Sequence, residues 1–115
     1  MAITTSGGSS IYPIGLPVPN SGQTLVSAAF QNKGAGEAVY TVPAGKTFYM
    51  LGFAIAAAGL CGIVCGGNTF VSNTSAAGTF TIVSSVPIAT AAAGATVNVA
   101  GYVNGNNGSV WGFTQ

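Results

Sequence analysis

Apolar and hydroxyl-bearing residues alternate along much of the chain, and from residue 24 onward turn residues interrupt them about every eight to twelve positions. Short strands at this spacing are typical of β-sandwiches and jelly rolls. No segment combines the apolar period of an amphipathic helix with capping residues. We therefore expect an all-β protein that forms a single antiparallel β-sandwich of jelly-roll type, with seven or eight strands. The clearest candidate strands are residues 24–30, 38–42, 47–56, 68–72, 78–84, 96–103 and 109–113.

The third candidate strand, residues 47–56, is apolar at both its odd and its even positions. A strand with this pattern is expected to be covered on both sides. We expect one side to face the core of the domain and the other to face a second subunit. Phe48, Met50 and Leu60 are assigned to that contact between subunits. Residues 59–67 fit a loop, a short strand or a distorted edge, and the sequence does not choose between them.

Several glycine-containing segments are predicted to be turns. Pro43-Ala44-Gly45 ends the second strand, and Gly66-Gly67 has the composition of a turn. Residues 104–108 (NGNNG) carry the strongest hairpin signal in the chain. We therefore expect residues 109–113 to return alongside residues 96–103.

The N-terminal segment, residues 1–22, differs in composition from residues 23–115, which we assign to the β-sandwich domain. Three prolines between positions 13 and 19 prevent a helix and favour an extended chain. Apolar side chains are interleaved with these prolines, unlike in a solvated linker. We expect an extended arm that docks on a neighbouring subunit. Its docking residues are Ile11, Tyr12, Ile14, Leu16 and Val18.

Charge is nearly absent from this sequence of 115 residues, a length that suits one domain. Only 3% of the residues are charged, namely Lys33, Glu37 and Lys46, and the formal net charge is +1. This composition excludes a basic nucleic-acid-binding face, which needs clustered Lys and Arg. Because a net charge near zero promotes association, we expect a subunit that is packed against other protein.

The residue types needed for common catalytic and metal sites are also missing. The chain has no histidine, and Glu37 has no carboxylate partner, so acid–base and triad chemistry are not expected. Cys61 and Cys65 are the only cysteines, and a zinc site needs more ligands. We favour two buried thiols over a disulfide. The sequence therefore predicts a non-enzymatic protein without a metal or cofactor.

Two other functions stay open at this stage. Residues 48–65 form an uncharged stretch about as long as a membrane-spanning helix, although it contains three glycines. The N-terminus lacks the basic and apolar regions of a secretory signal, so we expect synthesis in the cytoplasm without a signal peptide. Tyr12, Tyr102 and Trp111 are candidates for a carbohydrate-binding platform of the kind that a receptor-binding module carries.

Three short motifs suggest a family. They are residues 42–49 (VPAGKTFY), residues 86–97, which contain VPI and AGATV, and residues 110–113 (VWGF). Together they resemble the small all-β, jelly-roll-like head decoration (cement) proteins of tailed bacteriophages and the related spike or fibre modules. The resemblance implies a homotrimer on the capsid surface of a virion, bound to the major capsid protein or other virion subunits, with no enzymatic role. A tail-fibre or spike module that binds a receptor or glycan is the alternative.

Overall fold

The structure is a computed structural model, and it describes residues 22–101 and 106–115, with the backbone alone for residues 73–77 and 101. Every regular element in these residues is a β-strand, which confirms the predicted all-β class. The strands are β1 Thr24–Gln31, β2 Ala38–Thr41, β3 Phe48–Cys65, β4 Asn68–Val83, β5 Ala89–Ala91, β6 Thr96–Gly101 and β7 Asn107–Thr114.

The seven strands form one antiparallel sheet that curls on itself like a small β-sandwich. Strand β3 is its centre, because β5 and β4 pair with one of its edges while β7 and β6 pair with successive parts of the other. Strand β1 adds to β7, and β2 adds to β6, which gives the order β1-β7-β3-β6-β2.

The long hairpin of β3 and β4 is built around a two-glycine turn. Gly66 and Gly67 have φ angles of 58° and 84°. Positive φ at both central residues is the requirement of a type I′ turn, which suits the twist of paired strands. The turn predicted at this glycine pair is confirmed. The ambiguous residues 59–67 belong partly to β3, which continues unbroken to Cys65.

The predicted hairpin between the last two strands is wrong. In the part of the chain that the structure describes, β6 pairs with β3 and β2, whereas β7 pairs with β3 and β1. Both strands therefore use the same edge of β3, one after the other along its length. The local hairpin signal at residues 104–108 is overridden because β3 is long enough to offer each strand its own pairing site.

A β-bulge early in β3 decides which of its side chains enter the core. The register of β3 against β7 shifts between Met50 and Gly52. An extra residue at a bulge exchanges the two faces of a strand. Phe48 and Met50 consequently share the inner face with Phe53 and Ile55, although their positions differ in parity.

The assignment of Phe48 and Met50 to a contact between subunits is therefore corrected. Both side chains are 0% exposed within the chain itself. Strict alternation along residues 47–56 places them opposite Phe53 and Ile55, but the bulge brings all four together. They pack in the core and leave no surface for a second copy.

Aromatic and aliphatic side chains from every strand fill the space inside the curled sheet. The ring of Phe53 lies 5.2 Å from that of Phe80 and 6.0 Å from that of Phe70, while Tyr40 contacts Phe48 at 4.9 Å. These contacts join β2, β3 and β4 across the core. Burial raises the pKa of Tyr40 above its usual value.

One buried asparagine ties the loop after β1 to the start of β7. The side chain of Asn106 is 1% exposed; its Oδ1 accepts a hydrogen bond from the Lys33 amide at 3.1 Å, and its Nδ2 donates to the Lys33 carbonyl at 2.6 Å. Its main-chain carbonyl also accepts from the amide of Asn32, which has a φ of 53°. The side chain thereby satisfies both main-chain groups of Lys33.

Replacing this asparagine tests that role. Asn106→Ala is expected to lower the free energy of unfolding by about 1–3 kcal/mol, because it leaves two main-chain groups of Lys33 without their side-chain partner. Asn107→Ala, at the exposed neighbouring position, is the matched control and should change stability by less than about 0.5 kcal/mol. Urea denaturation measures both values, and equal effects of the two substitutions would contradict the stabilising role of the Asn106 side chain.

Candidate interaction face

The outer surface of the sheet carries a continuous group of large apolar side chains, which we name the outer aromatic face. Its members belong to four adjacent strands, β1, β7, β3 and β4, and project away from the core. They are Leu25, Tyr49, Val83, Trp111 and Phe113.

The first row of this face runs across three strands. Leu25 lies opposite Phe113, and Phe113 lies opposite Tyr49. The rings of Tyr49 and Phe113 stack with their centroids 4.9 Å apart and their planes inclined by 18°. Leu25 is 38% exposed, so the row reaches solvent at the edge of the sheet. Directly opposed side chains of this kind stabilise a sheet, here on the side away from its core.

The second row is centred on the only tryptophan of the chain. Trp111 lies opposite Gly52, and Gly52 lies opposite Val83 on the next strand. A Cβ atom at Gly52 would approach the indole ring to 2.7 Å and the Ile82 carbonyl oxygen to 2.3 Å. Glycine at this position therefore provides the space in which the indole packs. Val83, beside it, is 67% exposed.

Beyond the two apolar rows, the same surface carries small and hydroxyl side chains. The next positions across the sheet are Ala29, Ser109, Ala54 and Thr81. None of these rows holds a charged residue. Lys33 and Glu37 lie in the loop between β1 and β2, and Lys46 lies in the turn before β3. The Glu37 carboxylate accepts a hydrogen bond from the Gly34 amide within its own loop.

The other residues that the sequence assigned to subunit contacts or to a carbohydrate-binding platform lie away from the outer aromatic face or outside the described residues. Leu60 lies on the outer side of β3, beyond the aromatic rows, and is partly exposed, so its role in a contact between subunits stays a prediction. The docking residues Ile11, Tyr12, Ile14, Leu16 and Val18 lie outside the described residues. Tyr102 of the carbohydrate-binding platform does too, which leaves Trp111 as its only described member.

Tyr49, Phe113 and Leu25 were not singled out from the sequence. Each lies in a predicted strand, but the pattern of apolar and polar residues around it does not indicate which side of the strand faces outward. The pairing register is what brings them together, and the positions that it pairs directly are 88 and 64 residues apart. Cross-strand neighbours of this kind leave no local signal.

The two cysteines and the hydrophobic stretch around them have a structural role. Cys61 and Cys65 are both buried thiols on the inner face of β3, as favoured from the sequence. Burial raises the pKa of the Cys65 thiol to about 11. No group of three or more His, Cys, Asp and Glu lies together in the described part of the chain.

Residues 48–65 form a strand, and within the described ranges no helix is long and apolar enough to cross a membrane.

Enlarging Gly52 tests the packing of the outer aromatic face. Gly52→Ala is expected to displace the indole of Trp111 and to lower the free energy of unfolding by about 1–3 kcal/mol. Because Trp111 is the only tryptophan, its fluorescence emission should shift to the red as the ring becomes more hydrated. Ala56→Ser, on the same side of β3 but opposite Asn107, is the control. An unchanged emission spectrum for Gly52→Ala would refute this packing.

The buried Cys65 thiol predicts a loss of stability at alkaline pH. The unfolded thiol ionises near its ordinary pKa of 9.0, whereas the folded thiol ionises only near 11. Between these values the unfolded state binds fewer protons, so its ionisation favours unfolding as the pH rises. Urea denaturation at pH 8 and pH 10.5 should show a smaller alkaline loss for Cys65→Ala than for the wild type. Parallel pH profiles would contradict the prediction.

No protein-family model matches this sequence, and neither a curated protein nor a solved structure matches it at a significant level. The resemblance to phage decoration proteins therefore rests on the short motifs at residues 42–49, 86–97 and 110–113.

Proposed function

We propose that this chain is a non-enzymatic virion structural protein, and specifically a capsid decoration or cement subunit. It would stabilise the phage head by associating with copies of itself and with capsid proteins. The observation that carries the proposal is the outer aromatic face, an uncharged apolar surface that spans four strands of a protein with three charged residues.

Covering the outer aromatic face releases water from apolar side chains without stripping water from any charge. Burial of apolar surface contributes about 25 cal/mol per Å² before the costs of association are subtracted. Interfaces between proteins are enriched in aromatic residues and depleted of Lys, Glu and Asp at their centres. The outer aromatic face has this composition, and the three charged residues of the chain lie in loops outside it. This supports association with protein rather than with a highly charged ligand.

The specific place in a virion is supported by the resemblance and by the composition. A decoration subunit acts mechanically, since many weak contacts repeated over a shell together resist its expansion. Such a role requires no catalytic group, and the nearly uncharged sequence suits a protein that is permanently packed. The proposed partners are further copies of the chain, as a homotrimer, and the major capsid protein.

Association through this face is tested by placing charges on it. The double variant Leu25→Lys/Val83→Lys is expected to weaken self-association at least about tenfold, because a buried unpaired charge costs more than about 1.4 kcal/mol. Val71→Lys is the control, since Val71 is 45% exposed but lies opposite Gly62, far along β3 from the aromatic rows. Sedimentation equilibrium measures the change.

The outcomes of this experiment separate three cases. Loss of association in the double variant alone supports the outer aromatic face. Loss in Val71→Lys alone would move the contact towards Leu60. A wild-type chain that is a monomer at all concentrations tested would overturn self-association as the basis of the function.

The virion assignment has its own test. Quantitative mass spectrometry of purified virus particles should find the chain in many copies, in a fixed ratio to the major capsid protein. Particles stripped of it should release their contents at a lower temperature. Its absence from purified particles, or its presence in only a few copies, would contradict the decoration role even if the isolated protein associates.

A further inference from the structure

Among the residues that the structure describes, strand β1 leaves one edge of the sheet open. It is the terminal strand of the order β1-β7-β3-β6-β2, and among the described residues it pairs with β7 alone. Its eight residues, TLVSAAFQ, contain neither a charge nor a proline. Exposed edges of this kind pair readily with other strands, and proteins normally protect them. The composition of β1 therefore calls for a partner at this edge.

The hydrogen bonds of the neighbouring strands show which groups of β1 point outward. Thr47 and Gln115 exchange two main-chain hydrogen bonds of 3.0 Å each, so the main-chain groups of Gln115 point towards β3. Alternate residues point to opposite sides, and the even-numbered residues of β7 therefore point towards β1. The hydrogen bond from the Asn32 amide to the Asn106 carbonyl, at 2.6 Å, agrees with this, because Asn106 is even-numbered and its carbonyl points towards the β1 side.

The even-numbered residues of β1 are consequently bonded to β7, and its odd-numbered residues face the open edge. The amides and carbonyls of Leu25, Ser27 and Ala29 are the groups available to a further strand. Any strand that adds here must place residues with free amides opposite these three.

The N-terminal segment has a matching pattern. Its prolines are all at odd positions, Pro13, Pro17 and Pro19, so only the even positions and Gly15 carry an amide between them. Proline is tolerated in an edge strand where its nitrogen faces away from the sheet. The even positions hold Tyr12, Ile14, Leu16 and Val18, four residues with amides and large side chains.

The connection to β1 fixes the register. Gly22, at the start of the described chain, has a φ of 85°. A four-residue hairpin loop built around a type I turn favours proline at its first position and ends well with glycine in the left-handed region, and the sequence Pro19-Asn20-Ser21-Gly22 meets both preferences. Such a loop would place Val18 opposite Gln23, Leu16 opposite Leu25, Ile14 opposite Ser27 and Tyr12 opposite Ala29. Even residues meet odd residues, as both strands require.

Neighbouring loop lengths fail this requirement. A loop one residue shorter would place Pro17 opposite Leu25, where an amide is needed. A loop one residue longer would place Pro13 opposite Ser27, where an amide is needed as well. The positions of the prolines, the parity of β1 and the turn at Gly22 thus agree on a single register.

We propose that residues 12–18, expected from the sequence pattern to dock on a neighbouring subunit, instead form an additional strand on the open edge of β1, joined to it by a turn at residues 19–22 of the same chain. Leu16 and Ile14 then extend the two rows of the outer aromatic face, next to Leu25 and Ser27. The prolines at the new edge lack the amides that a further strand would need, which stops the sheet from growing. This inference does not depend on the proposed function.

Disulfide trapping tests the register and the origin of the strand. The register places position 13 directly opposite position 28 in a pair without hydrogen bonds, where Cα atoms lie about 4.5 Å apart and a disulfide fits. In the full-length protein, Pro13→Cys/Ala28→Cys should oxidise to one intramolecular disulfide. Pro13→Cys/Ala29→Cys is the control, because Ala29 is more exposed but projects from the opposite face. Peptide mapping distinguishes the new bond from the buried Cys61 and Cys65.

Each outcome of the trapping experiment either supports or overturns the proposed strand. An intramolecular bond in the first variant alone supports the proposal. Intermolecular bonds in the first variant would show that the segment adds to a neighbouring copy, and equal oxidation of both variants would show that it has no fixed register. Either result overturns the proposed strand, as does the absence of any bond between positions 13 and 28.

Amide hydrogen exchange with two proline variants gives an independent test. In the wild type, the amides of Leu25, Ser27 and Ala29 should be protected. Leu16→Pro removes an amide that bonds to β1 and should accelerate their exchange at least about tenfold, whereas Gly15→Pro alters an outward-facing position and should leave their exchange unchanged. Fast exchange of these amides in the wild type, or equal effects of the two variants, would overturn the proposal.

Discussion

The hydrogen-bond ladder of β3 is the interaction on which the rest of the structure depends. Four of the other six strands pair with it directly, and β1 and β2 are attached through β7 and β6. Without β3, the described strands would separate into two ribbons, β1-β7 and β2-β6, and two unpaired strands, and an isolated two-stranded ribbon is marginally stable in water. The strand is long enough to serve two strands in succession on one edge, so the fold needs no helix and no second sheet to close its core.

Irregularities in this ladder distribute the side chains between the core and the surface. The bulge between Met50 and Gly52 brings Phe48 and Met50 to the inner face together with Phe53. The second register shift, between Ala57 and Gly59, occurs where Gly59 has a φ of 116°. The core is filled by these inner side chains, and Tyr49, Trp111 and Phe113 lie on the outer side. The apolar surface proposed for assembly is thus a consequence of where β3 departs from regular alternation.

The shortage of charge gives the edges and faces of this sheet particular importance. Other proteins place lysines or inward-pointing charges at exposed edges, and this chain has only three charged side chains, all in loops. Proline and β-pairing remain as ways to protect an edge. The proposed proline-bearing strand beside β1 and the proposed association through the uncharged outer face would be two responses to the same constraint. The first would protect the individual chain from indefinite sheet growth, and the second would provide a surface for defined assembly.

The sequence by itself determined the all-β class, the positions of most strands, the turns at Gly45 and Gly66-Gly67, and the absence of the residue types that common catalysis requires. Alternation, glycine and proline are local signals, so they are visible without knowledge of the fold. Tertiary structure alone decided that β6 and β7 share one edge of β3, that Phe48 and Met50 are internal, and that Leu25, Phe113 and Tyr49 form one row. These features depend on pairing between distant segments and on a one-residue bulge, and a shift of one residue reverses the face of every side chain that follows it.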